Sequence, residues 1–148
     1  MKRVVVTGMA GITSLGSDWQ SIAGNFASNR SGIRRMDEWD RFEELNTRLA
    51  GPIDDFKVPA GWTRKQLRSM GRVSRLAVAA AQNALRDAGL LDDPSIRDGR
   101  MGVACGSSTG STDEIKAFGN MLLNSVAEGL NANSYVRMMP HTLSLIHI

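Results

Sequence analysis

The side chains best suited to nucleophilic and acid–base chemistry are few: one cysteine, Cys105, and two histidines, His141 and His147. A thiol works as a nucleophile only as its thiolate, and apolar neighbours raise its pKa. Cys105 lies in the apolar run Met101-Gly102-Val103-Ala104-Cys105-Gly106, so it is expected as an inert core residue. A histidine base needs a partner held by the fold. Neither histidine sits in a recognisable constellation, and both lie near the end of the chain, so they receive no role. A single cysteine also excludes an internal disulfide and a multi-cysteine metal site.

Two glycine-rich loops could cradle phosphate. Thr7-Gly8-Met9-Ala10-Gly11-Ile12 follows an apolar run and precedes a helical pattern, the order of a dinucleotide-binding turn. No G-x-G-x-x-G spacing is present, and Tyr135 is followed four residues later by Met139 rather than lysine. A Rossmann-type NAD(P)-dependent oxidoreductase stays an alternative on this feature alone. Gly106-Ser107-Ser108-Thr109-Gly110-Ser111 lacks the Gly-Lys-Ser/Thr ending of a P-loop, which favours a tight strand-to-helix passage.

The third candidate is basic. Arg64, Arg68, Arg72, Arg75 and Arg86 would share an arc of about 80° if one helix ran through them. Leu67, Met70, Val73, Ala77, Ala81, Ala84 and Leu85 would then occupy the other side, provided Gly71 does not interrupt the helix. Such a stripe is either a solvated face or a landing site for an acidic protein or a phosphate. A non-catalytic module binding an acidic partner is therefore a further alternative.

These residues need elements to position them. Val4-Val5-Val6, closed by Gly8, predicts a buried parallel strand over about residues 2–8. Ser17 as N-cap with Gln20 at N3, then Trp19, Ile22, Ala23 and Phe26, predict an amphipathic helix ending near Ser28. Residues 30–62 read as an irregular excursion with a short strand near Leu49. Thr63-x-x-Gln66 predicts a second capping box, followed by helix to Ala88 with Gly89 as C′ residue; Gly71 could divide it. Residues 101–106 predict a second buried strand. Ser111-x-x-Glu114 predicts a third capping box, on a helix that buries Ile115, Phe118, Leu122 and Val126. From Gly129 onward the pattern reads as loop. The order implies an α/β fold with parallel strands.

The 148 residues are 42% hydrophobic, 22% charged and 5% aromatic, with a net charge of +3. That is the composition of a folded domain with a core, not of a disordered chain. No apolar run approaches the roughly 18–20 residues of a membrane span, and the run after Lys2-Arg3 ends too soon for a signal peptide. The expectation is a cytoplasmic protein.

Several segments together resemble one family, the β-ketoacyl-[acyl-carrier-protein] synthases. Val4-Val5-Val6-Thr7-Gly8-Met9, with Gly11 and Ser14-Leu15-Gly16, is similar to their opening. Arg30-Ser31-Gly32-Ile33 resembles a recurrent (R/Q)SGI segment, and Ala50-Gly51-Pro52-Ile53-Asp54-Asp55-Phe56 an AG-xxx-DF segment. Arg64-Lys65-x-x-Arg68-x-Met70 resembles their basic helix, although Gly71 replaces the usual acid. Ala77 to Leu90, ending Asp87-Ala88-Gly89-Leu90, and Gly102-Val103-x-x-Gly106-Ser107 complete the series. The resemblance covers residues 2–142.

It implies the N-terminal part of a thiolase-like αβαβα layered fold. It also implies decarboxylating condensation of an acyl group with malonyl-acyl carrier protein, in fatty-acid or polyketide synthesis. The parent would be a cytoplasmic homodimer that uses no metal or organic cofactor and binds neither nucleic acid nor membrane. The family's nucleophile lies in a T-A-C-(S/T)-S-like motif, followed later by two histidines; this sequence contains none of these motifs. The resemblance therefore assigns no catalytic residue here and implies an inactive piece. It does imply carrier-protein docking at Arg64, Lys65, Arg68 and Arg72, because the partner's helix is acidic and bears a phosphopantetheine. After Thr142 the pattern is lost. Leu143-Ser144-Leu145-Ile146-His147-Ile148 matches one reading frame of a transposase end sequence used in sequencing libraries, so residues 143–148 are expected to be adapter-derived.

Overall fold

Segments whose start and stop signals are local form as expected, and segments that need a distant partner do not. The computed structural model describes residues 3–139; His141, His147 and the tail at 143–148 lie outside them. The element order is α1 (Trp19–Ala27), β1 (Arg34–Arg35), a 3₁₀ turn (Asp37–Arg41), β2 (Leu49–Ala50), α2 (Arg64–Arg68), α3 (Arg72–Asp87), a second 3₁₀ turn (Pro94–Ile96), α4 (Thr112–Asn124) and α5 (Ala132–Met138). The content is mixed helix and strand, in keeping with the α/β class.

Helix α1 begins one residue later than predicted. Asp18, not Ser17, is the N-cap: its carboxylate accepts from the Ser21 amide at 2.8 Å and from the Ser21 hydroxyl at 2.6 Å. A carboxylate at this position also meets the positive end of the helix. The Ser21 hydroxyl, then its backbone N–H, hold the Asp18 carboxyl below its ordinary pKa. The helix ends at Ala27 with Ser28 as its C-cap, close to the predicted end.

The strand expected near Leu49 forms as β2, and its partner comes from the same excursion. It pairs antiparallel with β1, Arg34 opposite Ala50 and Arg35 opposite Leu49. Three of the segments quoted above then meet at one crossing. A side chain on Gly32 would collide with Ser14, and a Cβ on Gly51 would stand 2.8 Å from the Ser14 hydroxyl. Both glycines are there because the Ser14 turn lodges against them.

The Thr63 capping box is complete. The Gln66 amide donates to the Thr63 hydroxyl oxygen at 3.3 Å, and the Thr63 amide donates to Gln66 Oε1 at 2.8 Å. Gly71 does divide the helix, serving as N-cap of α3. Helix α3 stops in a Schellman motif: Gly89 has φ of +70°, its amide donates to the Arg86 carbonyl at 3.0 Å, and the Leu90 amide to the Leu85 carbonyl at 2.8 Å. Among the described residues the buried apolar side chains are Ile22, Met70, Val78 and Ala79, so the core gathers on α1, at the α2–α3 junction and along the middle of α3.

Four expectations need correction. Residues 3–8 and 101–106 form no strand. A strand is stable only beside another that completes its ladder, and the described residues offer neither segment a neighbour; Val4 is 93% exposed and Val103 62%. The predicted buried face of α4 is open for the same lack of a covering layer, with Ile115, Leu122 and Val126 exposed and Phe118 half-buried. Ser111 is the N-cap of α4 but makes no side-chain cap hydrogen bond, and the reciprocal half of the box is absent too, since Glu114 turns to Arg137 and the Ser111 amide donates to the Arg137 carbonyl. Residues 132–138 are helix rather than loop: the Asn131 side chain accepts from the Asn133 amide at 2.9 Å, and the Asn131 amide donates to the Ser134 hydroxyl at 3.3 Å.

Candidate functional site

The division at Gly71 rearranges the basic stripe. Arg64 and Arg68 stay together on one face of α2 and line a groove with Leu67. Arg75 of α3 joins them, and the other wall is α5 and its cap, with Asn131, Asn133 and Arg137. Arg72 goes elsewhere: its guanidinium donates to the backbone carbonyl of Ile53 and ties the excursion to the start of α3. Lys65 is exposed but does not line the groove, and Arg86 at the far end of α3 donates to Asn83 Oδ1 at 2.6 Å. The single 80° arc required an unbroken helix; in its place stand a groove and, outside it, Lys65, Arg72 and Arg86.

The groove walls are held by contacts distant in sequence. Arg137 Nε lies 2.9 Å from Glu114 Oε1, with side chains 20% and 14% exposed. That contact is ionic rather than an aligned hydrogen bond, since Arg137 Nε has no hydrogen-bond acceptor. The Ser111 amide donates to the Arg137 carbonyl at 2.9 Å. A side chain on Gly110 would collide with the Met138 backbone, and a Cβ on Gly71 would stand 2.6 Å from that of Ser111. Small residues at 71, 110 and 111 thus let the α2–α3 junction, the start of α4 and the end of α5 converge. Arg75 is fixed by donating from Nε to the Met70 carbonyl at 3.1 Å.

Cys105, expected in the core, is exposed, because the strand that would have buried it does not form. No histidine lies among the described residues. The family profile described as "Beta-ketoacyl synthase, N-terminal domain" matches residues 1–145. The chain belongs to the β-ketoacyl synthase family.

Relatives agree with that membership. The 3-oxoacyl-[acyl-carrier-protein] synthase 2 of Staphylococcus aureus (strain COL) is 30% identical over 123 residues, 83% of this chain and 29% of the relative. The Vibrio harveyi protein of the same name is 34% identical over 116 residues, 78% of this chain and 28% of the relative. Among solved structures, a β-ketoacyl synthase from Burkholderia phymatum STM815 superposes with a TM-score of 0.89 at 55% identity, covering 99% of this chain and 36% of that one. The ishigamide ketosynthase/chain length factor superposes at 0.70 with 27% identity, covering 98% and 36%. The fold is that of the thiolase-like ketosynthases. The chain spans under a third of the curated relatives it matches, and the oxidoreductase alternative finds no support.

Sequence reasoning had found Arg64 and Arg68 but missed the opposing wall. Asn131-x-x-Ser134 was a legible capping signal for α5. The approach of α5 to α2, and the pairing of Glu114 with Arg137, had no local signal.

Proposed function

We propose that this chain is part of a β-ketoacyl-acyl-carrier-protein synthase, an acyltransferase performing decarboxylating condensation in fatty-acid or polyketide synthesis. In such a reaction an acyl group passes to a cysteine, malonyl-carrier protein loses CO₂, and the resulting carbanion attacks the acyl thioester. The 145-residue span of the family match is the observation that carries the reading. Within it, these residues supply scaffold and a positively charged landing surface, while the nucleophile and imidazoles belong to motifs this sequence does not contain. Incubation with acyl-carrier protein should leave no acyl adduct on Cys105 by mass spectrometry; a stoichiometric adduct would overturn the assignment of no catalytic residue.

The partner is an acyl carrier protein, met by Arg64, Lys65, Arg68 and Arg72, and the parent enzyme is a cytoplasmic homodimer. Three of these four side chains carry free positive charge: among the described residues Arg64, Lys65 and Arg68 have neither hydrogen-bond nor ion-pair partners. Among the described residues no helix is long and apolar enough to cross a membrane. Charge reversal at Lys65 and Arg68 should weaken carrier-protein binding by about tenfold or more. Equal loss with any polyanion would instead favour a generic acidic partner.

A further inference from the structure

A helix is anchored in a fold by what it buries. Helix α1 buries Ile22, and α3 buries Val78 and Ala79. Helix α5 buries only Ser134, and Tyr135 at its middle is 55% exposed. Its seven residues are also too few to stay helical alone, since helices shorter than about 12–15 residues are marginal in water. Something other than an apolar anchor keeps α5 in place.

The contacts that hold it converge on its C-terminal end. The Arg137 carbonyl accepts from the Ser111 amide at 2.9 Å, Arg137 Nε lies 2.9 Å from Glu114 Oε1, and the Met138 backbone fits against Gly110. The capping box at the other end joins Asn131 to Ser134 within the helix and its own cap, so it travels with α5. The chain leading in carries two residues of positive φ, Ser125 at +56° and Gly129 at +80°, and a Cβ on Gly129 would meet nothing. Unhindered glycine backbone at the end of an element can absorb the rotation of a hinge.

Beneath α5 lies a cavity of about 260 Å³ between the start of α3 and the start of α4. Phe56, Val58 and Met70 form its apolar side, and Met70 is only 6% exposed. Three guanidiniums line it, Arg72, Arg75 and Arg137, against the carboxylates of Asp113 and Glu114. Arg72 donates to the Ile53 carbonyl and Arg75 to that of Met70, which holds both on the body of the fold. Arg137 comes from α5, and Glu114 is the carboxylate that meets it. Without that carboxylate, a half-desolvated guanidinium would face two like charges, and α5 would lose its strongest hold.

We propose that α5 is a strap, hinged at residues 125–131, that opens as a unit while α1 and α3 stay folded, and that the Glu114–Arg137 pair is the latch that closes it over the cavity. Opening withdraws Arg137 and uncovers Met70. The motion needs no carrier protein on α2 and stands apart from the docking reading.

Native-state amide exchange of the whole chain tests the strap. In the wild type, α5 amides should exchange at least about tenfold faster than those of Val78 and Ala79, because they open without global unfolding. Val78→Ala weakens a helix that stays folded when the strap opens. It should quicken α3 exchange by about tenfold or more and leave α5 exchange unchanged. Ala79→Gly, a milder change in the same helix, serves if that variant does not fold. Glu114→Gln should quicken α5 exchange by about tenfold or more. Peroxide reads the cavity separately: Met70 oxidation, resolved by mass spectrometry, should rise by a similar factor in Glu114→Gln and stay at the wild-type rate in Val78→Ala. Met9, 57% exposed, should be oxidised equally in all three. Equal wild-type exchange in α5 and α3, or equal quickening of both by the α3 variant, means that α5 leaves only with the whole fold and refutes the strap. Unchanged α5 exchange in Glu114→Gln refutes the latch, and faster α5 exchange with Met70 oxidation unchanged refutes the cover over the cavity.

Discussion

The excursion between α1 and α2 and the groove beside α2 are both arginine-rich, and they use arginine in opposite ways. In the excursion three of the five guanidiniums are answered by carboxylates, while Arg41 stacks on the Phe42 ring and Arg30 has no side-chain partner among the described residues. Arg34 pairs with Asp54, Arg35 Nε with Asp37 at 3.0 Å, and Arg48 Nε with Asp40 at 2.7 Å; Arg48 also donates to the Leu45 and Phe42 carbonyls at 3.0 Å each. In the groove Arg64 and Arg68 are left unanswered. A paired surface arginine has spent its hydrogen-bonding capacity on shaping a loop. An unpaired one, held near others by well-defined elements, keeps its charge available to a partner. Counting cations along the sequence cannot tell these apart; the positions of the aspartates can.

The contrast can be broken most directly by reversing the free charges. R64E/R68E should reduce carrier-protein association by about tenfold or more in a surface-capture assay, and the wild-type signal should fall as ionic strength rises. If R35E in the excursion did the same damage, the distinction would fail. Next in size is the scaffold of the groove. Glu114→Gln should lower unfolding free energy by about 2 kcal/mol in a denaturant titration, less than a fully buried pair because both side chains keep some exposure. Thr63→Ala should remove a cap worth about 1 kcal/mol, read as fraying of α2 in amide exchange with α3 unaffected. Arg35→Ala should leave both carrier-protein binding and the unfolding midpoint unchanged within error, as expected for an exposed pair.

The smallest effect is the acid response of a third self-contained charge, Asp18. Its carboxyl titrates below the ordinary value because the Ser21 hydroxyl and amide stabilise the anion. The cap therefore stabilises α1 at any pH above the ordinary carboxylate range. Its contribution should fade only as pH falls through the depressed value. The Ser21 amide resonance followed from pH 6 to pH 2, about the accessible range, should report that transition; a midpoint at or above the ordinary aspartate value would contradict the hydrogen bonds described.

Helices α1 to α4 were readable because their signals are close in sequence; α5 was read as loop although Asn131 and Ser134 carry its cap. Thr63 and Gln66 lie three residues apart, and Gly89 follows the end of α3 directly, so a few residues fixed each boundary. Even the shift of the first cap from Ser17 to Asp18 was a choice between adjacent candidates. The apolar runs at 4–6 and around Val103 were read as buried strands, but a strand is a relation between two segments, and no neighbour among the described residues completes one. Cys105 was misplaced for the same reason: its burial depended on a ladder, not on its own residues.

By itself, then, the amino-acid sequence determined the family, the first four helical segments, the excursion and the presence of excess positive charge near residue 64. Only the tertiary structure decided which of those charges would be free. Gly71 redirected Arg72 toward Ile53, and close packing around Gly110, Ser111 and Arg137 brought α5 across from Arg64 and Arg68. Charge is a property of a residue and can be counted from composition, whereas its availability depends on groups tens of positions away that only folding brings within a few ångströms.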